Sequence, residues 1–230
     1  MKVFEITDQS DGAFYKAIRE AVNLLNKDEV CIVPTDSVYS FCCSINSKKA
    51  IAKIAKLKDV KPQKANFSII IPSLSKLNDF VKPYSRSTYK LLNKNLPGPF
   101  TFILQANNFV PKLFDTNRKE IGIRQPNHSF IMELMQQFDE ALVVSSVSTD
   151  DLIENLNDPE LIIDEYNNRV AGVVDAGILD IVGSTIVDCT DEESMKESGV
   201  LEMNTLVVGI SEPIEASITT TLIAKDSDGT

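Results

Sequence analysis

Apolar residues along this chain alternate between a two-residue and a 3.6-residue period. MKVFEI reads as an opening strand. Ala13, Phe14, Ala17, Ile18, Ala21, Val22 and Leu25 then recur at helical spacing, which predicts an amphipathic helix over about 12–26. EVCIVP predicts a buried strand, followed by a turn at Thr35-Asp36-Ser37 and a short strand in VYSFCCSI. Ala50, Ile51, Ile54 and Ala55 mark the apolar face of a second helix over 48–57. The polar loop KDVKPQKAN leads into FSIIIP, another buried strand, and two short helices are expected near 74–80 and 85–93.

LPGPFTFILQ reads as a turn into a strand, because Pro-Gly-Pro cannot continue a helix. EIGIRQP predicts a strand closed by proline, HSFIMELMQQF a helix starting near Asn127 or Ser129, and ALVVSSVS a strand emerging into serines. VAGVVDAG and STIVDCT read as later strands, with NTLVVGI and ASITTTLI as edge elements. Strands alternating with helices imply an α/β or mixed α+β fold with at least one parallel pair. The pattern weakens after Asp188, which divides the chain into a main domain, 1–190, and an acidic extension, 191–230, expected as an edge strand or partly disordered.

Composition narrows the class. In 230 residues the hydrophobic share is 43%, enough for a full core. No apolar run is long enough to cross a bilayer, and MKVFEITDQSDG lacks the pattern of an export signal, so a cytoplasmic protein without a membrane partner is expected. The four cysteines, Cys31, Cys42, Cys43 and Cys189, form no CxxC pair and are expected as free, buried thiols. His128 is the single histidine, which excludes a multi-histidine zinc site, and no protein-bound metal is expected. The net charge of −10 is unevenly spread: residues 1–149 carry 20 Lys+Arg against 14 Asp+Glu, and residues 150–230 carry 3 against 19. An anionic ligand therefore belongs to the first two thirds of the chain.

Three features suggest a site there. Seven lysines (48, 49, 53, 56, 58, 61 and 64) crowd one short stretch. They read either as a solvated helix face or, where Lys58, Lys61 and Lys64 share a loop before a buried strand, as point charges for phosphate. Hydroxyls follow or adjoin three apolar strands: Thr35, Ser145-Ser146 and Ser184-Thr185. Ligands gather at such strand ends, although turn chemistry and helix capping use the same residues. Arg124 closes EIGIRQP, where its fork can meet a carboxylate or phosphate, or pair with an acidic neighbour. A P-loop, a GxGxxG and a GxSxG are all missing from the sequence. Cys42-Cys43 reads as core packing, and His128 as a capping or surface residue.

With these positions marked, the chain resembles the YrdC/YciO-like family. PTDSVYSF (34–41) is similar to its PTDTVYGL signature, Lys56-Leu57-Lys58 to its KxR, and LPGPFTFIL (96–104) to its WPGPLTLVL. IGIRQPNH (121–128) is similar to VAVRxPxH, and GSTIVD (183–188) to PSTVVD. These five segments keep their order from about residue 12 to residue 190, and ANFSIII and IGIRQP look closer to the YciO branch.

The resemblance implies a twisted mixed sheet flanked by helices around a concave basic cavity. It also implies a nucleotidyltransferase that converts L-threonine, bicarbonate and ATP, with Mg2+ assisting, to threonylcarbamoyl-AMP and pyrophosphate for tRNA modification. Lys56 and Lys58 would carry the phosphate charge catalytically. Lys64 and Ser146 would join them on ATP, and Thr35, Arg124, Ser145 and Ser184 would hold L-threonine. Lys58 replaces the family's second basic residue, an arginine, and Ser145-Ser146-Val147-Ser148-Thr149 replaces its TSAN. Glu120 stands where threonine is common, and Lys196 is the nearest counterpart of a C-terminal arginine. The alternative is a YciO-type protein that uses the same cavity to bind a nucleotide or RNA with little catalysis, or a paralogue with a changed ligand.

Overall fold

The computed structural model of the protein describes residues 1–6, 12–61, 64–114, 119–147, 157–179 and 182–190. Nine strands among them form one mixed sheet: β1 (Lys2–Glu5), β2 (Cys31–Val33), β3 (Ser40–Ser44), β4 (Ser68–Ile70), β5 (Gly98–Gln105), β6 (Glu120–Gln125), β7 (Leu142–Ser146), β8 (Gly172–Asp175) and β9 (Thr185–Asp188). Their order is β1-β8-β2-β3-β7-β4-β6-β5-β9. β1 and β2 flank β8 in parallel, β4 runs parallel to β6, and β5 parallel to β9. The parallel pairing and the flanking helices match the fold class the alternating periods predict.

Six α-helices among the described residues pack on the sheet: α1 (Gly12–Leu25), α2 (Lys48–Leu57), α3 (Arg86–Asn95), α4 (Phe109–Phe114), α5 (Ser129–Phe138) and α6 (Pro159–Glu165). α1 and α5 lie together on one face, where Phe14 meets Phe130 edge-on at 6.2 Å over Cys42, Leu142, Val144 and Ile70. The opposite face is buried beneath side chains from α2, α3, α4 and α6, including Ile54, Leu92, Val110 and Ile162. Burial on both faces makes β2 and β3 uniformly inaccessible, which is why their sequences show no clean alternation.

Several boundaries differ from the sequence expectation. Residues 74–79 form a 3-10 helix, Leu74–Asp79, because Leu74 and Leu77 repeat at its three-residue period and only Leu77 is fully buried. α3 starts at Arg86 because Ser85 caps it, accepting from the Thr88 amide at 3.1 Å. α4 and α6 are too short to carry an apolar stripe, although Asp158-Pro159-Glu160 is a helix-start signature in which Asp158 accepts from the Glu160 amide. The expected extension at 191–230, with NTLVVGI, ASITTTLI and Lys196, lies outside the described residues. No helix among the described residues is long and apolar enough to cross a membrane.

Candidate functional site

Strand register decides which hydroxyls share a face, because side chains alternate across a sheet. Ser40 lies opposite Ser146, Val144 opposite Ser68, Ser68 opposite Gly122, and Ile70 opposite Arg124. These residues share the face that α1 and α5 cover in part. Gly122 fits between its neighbours because it has no side chain: a Cβ there would stand 2.6 Å from Ser68 Oγ and 3.0 Å from Thr101 Cγ2. Thr101 Oγ1 in turn lies 2.7 Å from Ser184 Oγ, which brings the edge of β9 onto the same small-residue floor.

The loop between β2 and β3 is fastened over this floor. Tyr39, buried at its end, donates to the Gly177 carbonyl at 2.8 Å and accepts from the Ala176 amide at 2.9 Å. Burial pushes its hydroxyl up to about 12, so it stays protonated and holds both bonds. Asp36 Oδ1 accepts from Arg124 Nη2 at 3.1 Å, with the two side chains 9% and 7% exposed, while Asp36 Oδ2 accepts from the Asn127 amide at 2.6 Å. Arg124 thus reaches the loop, and one aspartate ties it to the chain entering α5.

The hydroxyls beside this ion pair form an ordered relay. Arg124 Nη2 donates to Ser37 Oγ at 3.1 Å, and Ser37 Oγ lies 3.0 Å from Thr35 Oγ1. Thr35 Oγ1 donates to the Val38 carbonyl at 2.8 Å, so its single proton is committed and Ser37 must donate to it. Burial pulls the Arg124 pKa down and Asp36 pulls it back up, and the guanidinium remains a cation. Arg124 Nε and Ser40 Oγ are the buried side-chain polar atoms among the described residues that have no hydrogen-bond partner. A buried unsatisfied donor is expensive, and a ligand acceptor would satisfy it. At the start of α5, His128 caps the helix by accepting at Nδ1 from the Phe130 amide at 3.2 Å. Burial pushes its pKa below the ordinary 6.5, against an upward pull from Asp36.

The predicted site residues divide. Thr35 and Arg124 meet through Ser37, and Ser184 joins the floor through Thr101. Ser146 is on the floor side, and Lys58 Nζ donates to its carbonyl at 2.7 Å. Lys58 therefore sits at the end of β7, while Lys56 and Lys64 are exposed. Lys53 of the same lysine run is directed elsewhere, 3.4 Å from Glu29. Ser145 departs from the expectation. It lies opposite Phe41, on the α2 side of the sheet, and donates to the Asn66 carbonyl at 3.2 Å, so alternation turns it away from Arg124.

Asp36, Ser37, Asn127, Thr101, Ser68 and Gly122 were not singled out from the sequence, although Asp36 and Ser37 lie inside the PTDS run and Asn127 inside RQPNH. All four cysteines are free and buried, and burial pushes the Cys31 thiol up to about 12 and raises Cys42 and Cys43 as well. Thiol chemistry is thereby disfavoured. No group of three His, Cys, Asp or Glu side chains among the described residues is placed to hold a metal. Two cavities, of about 450 and 680 Å³, lie beside α5 and at the start of α3, and neither is lined by Thr35, Lys58, Arg124 or Ser146.

The profile of the Sua5/YciO/YrdC family, described as Telomere recombination, matches residues 23–198. The chain belongs to this family. It is 30% identical to Escherichia coli YciO over 183 residues, 79% of this chain and 88% of the relative. The crystal structure of E. coli YciO superposes with a TM-score of 0.71 at 28% identity, covering 84% of this chain and 92% of that one. Identity to the threonylcarbamoyl-AMP synthase of Bos taurus is lower, 26% over 188 residues, covering 77% of this chain and 65% of the relative. The structure of P. abyssi Sua5 complexed with L-threonine shares the fold, with a TM-score of 0.73 at 19% identity, covering 84% of this chain and 55% of that one. Sequence identity to the YciO relatives is thus the higher, as ANFSIII and IGIRQP suggested.

Proposed function

We propose that the protein is a threonylcarbamoyl-AMP synthase-like nucleotidyltransferase that joins L-threonine, bicarbonate and ATP to give threonylcarbamoyl-AMP and pyrophosphate, a precursor for tRNA modification. One observation carries this reading: Arg124 is a buried cation at a strand end, half engaged by Asp36, with an unsatisfied Nε and a line of hydroxyls beside it. A desolvated guanidinium beside hydroxyls suits the carboxylate of a small hydroxy amino acid. In this reading Arg124 takes the threonine carboxylate, with Thr35 and Ser184 nearby, and Ser145 drops out because of the face it occupies.

Lys58, next to Ser146, takes phosphate charge together with the exposed Lys56 and Lys64 of the same lysine run. The threonine amine and bicarbonate give the N-carboxylate with loss of water. Its oxygen attacks the α-phosphate, the bond to the β-phosphate breaks and pyrophosphate leaves, and the lysines stabilise charge on the phosphate oxygens. Magnesium would supply further charge neutralisation while carried on the ATP phosphates, a position that needs no cluster of protein carboxylates. The naming of family relatives as threonylcarbamoyl-AMP synthases, and the L-threonine complex of P. abyssi Sua5, support this assignment.

A second reading draws on Lys58 and Glu120. A lysine lacks the fork of the family's arginine, and exposed Glu120 opens β6 with a negative charge. Both favour a YciO-type protein that binds a nucleotide or RNA at the same residues with little turnover. Pyrophosphate release separates the two readings. The synthase reading requires release that depends on both L-threonine and bicarbonate and falls sharply in Lys58→Ala. ATP binding without such release would move the assignment to the second reading.

A further inference from the structure

Arg124 and Asp36 form a nearly buried ion pair in which neither partner is fully used. Asp36 touches the guanidinium through one oxygen, because the other is held by the Asn127 amide at 2.6 Å. Arg124 offers Nη2 to Asp36 and Ser37 and leaves Nε without an acceptor. A cation and an anion 3.1 Å apart, each with capacity left over, present a dipole rather than a net charge. A plain carboxylate gains from the cation and is repelled by the neighbouring anion. A zwitterion, with its ammonium one carbon from its carboxylate, is attracted by both.

We propose that Asp36 is a ligand-binding residue that receives the α-ammonium of the amino acid while Arg124 receives its carboxylate, so that the site selects a zwitterionic α-amino acid over a simple carboxylate. The proposal rests on the reading that L-threonine is a substrate, and adds to it the residue that distinguishes the substrate from its deaminated analogue. Ser37 and Thr35 support the pair from behind: their protons run in one direction toward the Val38 carbonyl, which fixes Ser37 as an acceptor for Arg124. His128, two residues beyond Pro126, is held neutral by burial and adds no second cation beside Asp36.

The test uses the full chain and three probes: L-threonine, 3-hydroxybutyrate, which lacks the ammonium, and L-threoninol, which lacks the carboxylate. Calorimetric affinities are compared in wild type and Asp36→Asn, a substitution that retains an acceptor for the Asn127 amide. Wild type is expected to bind L-threonine about 10- to 100-fold more tightly than 3-hydroxybutyrate, the scale of one charge-assisted hydrogen bond. Asp36→Asn is expected to remove most of that preference, weakening L-threonine and L-threoninol while leaving 3-hydroxybutyrate equal or tighter. If Asp36→Asn weakens L-threonine and 3-hydroxybutyrate by the same factor, Asp36 merely positions Arg124; the proposal is overturned and the L-threonine reading stands. If wild type binds no L-threonine, both fall together. Should Asp36→Asn fail to fold, wild type alone decides, since equal affinity for L-threonine and 3-hydroxybutyrate overturns the proposal.

Discussion

The two ends of the candidate site are built in opposite ways. At the Arg124 end, charges are nearly buried, both Asp36 oxygens and Arg124 Nη2 have partners, Arg124 Nε has none, and the loop is tied down by Tyr39 and Asp36. At the Lys58 end, Lys56 and Lys64 are exposed and Lys58 is half-buried, with its Nζ donating to the Ser146 backbone carbonyl. A rigid end can read the shape and charge pattern of a small molecule. A soft end of more exposed, single-point charges can hold a polyphosphate but distinguishes little. Under the proposed function, selectivity would fall to the Arg124 end and charge neutralisation to the Lys58 end.

Breaking the rigid end should have the largest effect. Arg124→Ala would leave Asp36 in a nearly buried position without its cation, and should cost about 3–5 kcal/mol of stability along with amino-acid binding. Denaturant unfolding and threonine titration check both parts. Arg124→Lys keeps the charge and should recover part of the stability without the binding. Gly122→Ala comes next: its Cβ would press on Ser68 and Thr101, with an expected cost of about 1–3 kcal/mol. A smaller loss would mean that the floor yields, and that its fit around Gly122 is less fixed than the rest of this end.

pH dependence sharpens the comparison further. The neutral His128 ring accepts the helix-capping bond, and burial holds its pKa below 6.5 in the folded protein. The unfolded chain therefore protonates first as pH falls. The His128 contribution is complete above pH 6.5 and is lost as pH drops from there toward the folded pKa. His128→Asn caps without titrating, so the difference in stability between it and wild type should change below pH 6.5 and stay flat above. The smallest effect on folding is expected at the soft end. Lys58→Ala should leave stability almost unchanged while weakening ATP binding and flattening its dependence on salt. A large loss of stability in Lys58→Ala would contradict the distinction between the two ends.

Most strands of this fold were legible because they are apolar runs bounded by turn residues, although β1, KVFE, is largely exposed, and short motifs drew attention to Arg124 and Lys58 as candidates. The sequence did not report the partner of Arg124. Asp36 lies 88 residues away, and only the crossing of the β2–β3 loop over the sheet brings them together. The choice between Ser145 and Ser146 was hidden for a different reason. β7 is buried on both faces, so ALVVSS shows no alternation that says which serine shares a side with Arg124. Tyr39 looked like one more apolar position in VYSFCC, and its latch to Gly177 depends on a contact 138 residues along the chain.

The single histidine gives the most direct test of where the amino acid binds. His128 is next to Asn127, whose amide Asp36 holds, so its imidazole resonances report on the rigid end alone. In an NMR titration, L-threonine is expected to shift the His128 signals and its pKa, while ATP added alone shifts them little. Binding of L-threonine that leaves His128 undisturbed would place the amino acid elsewhere and contradict the account.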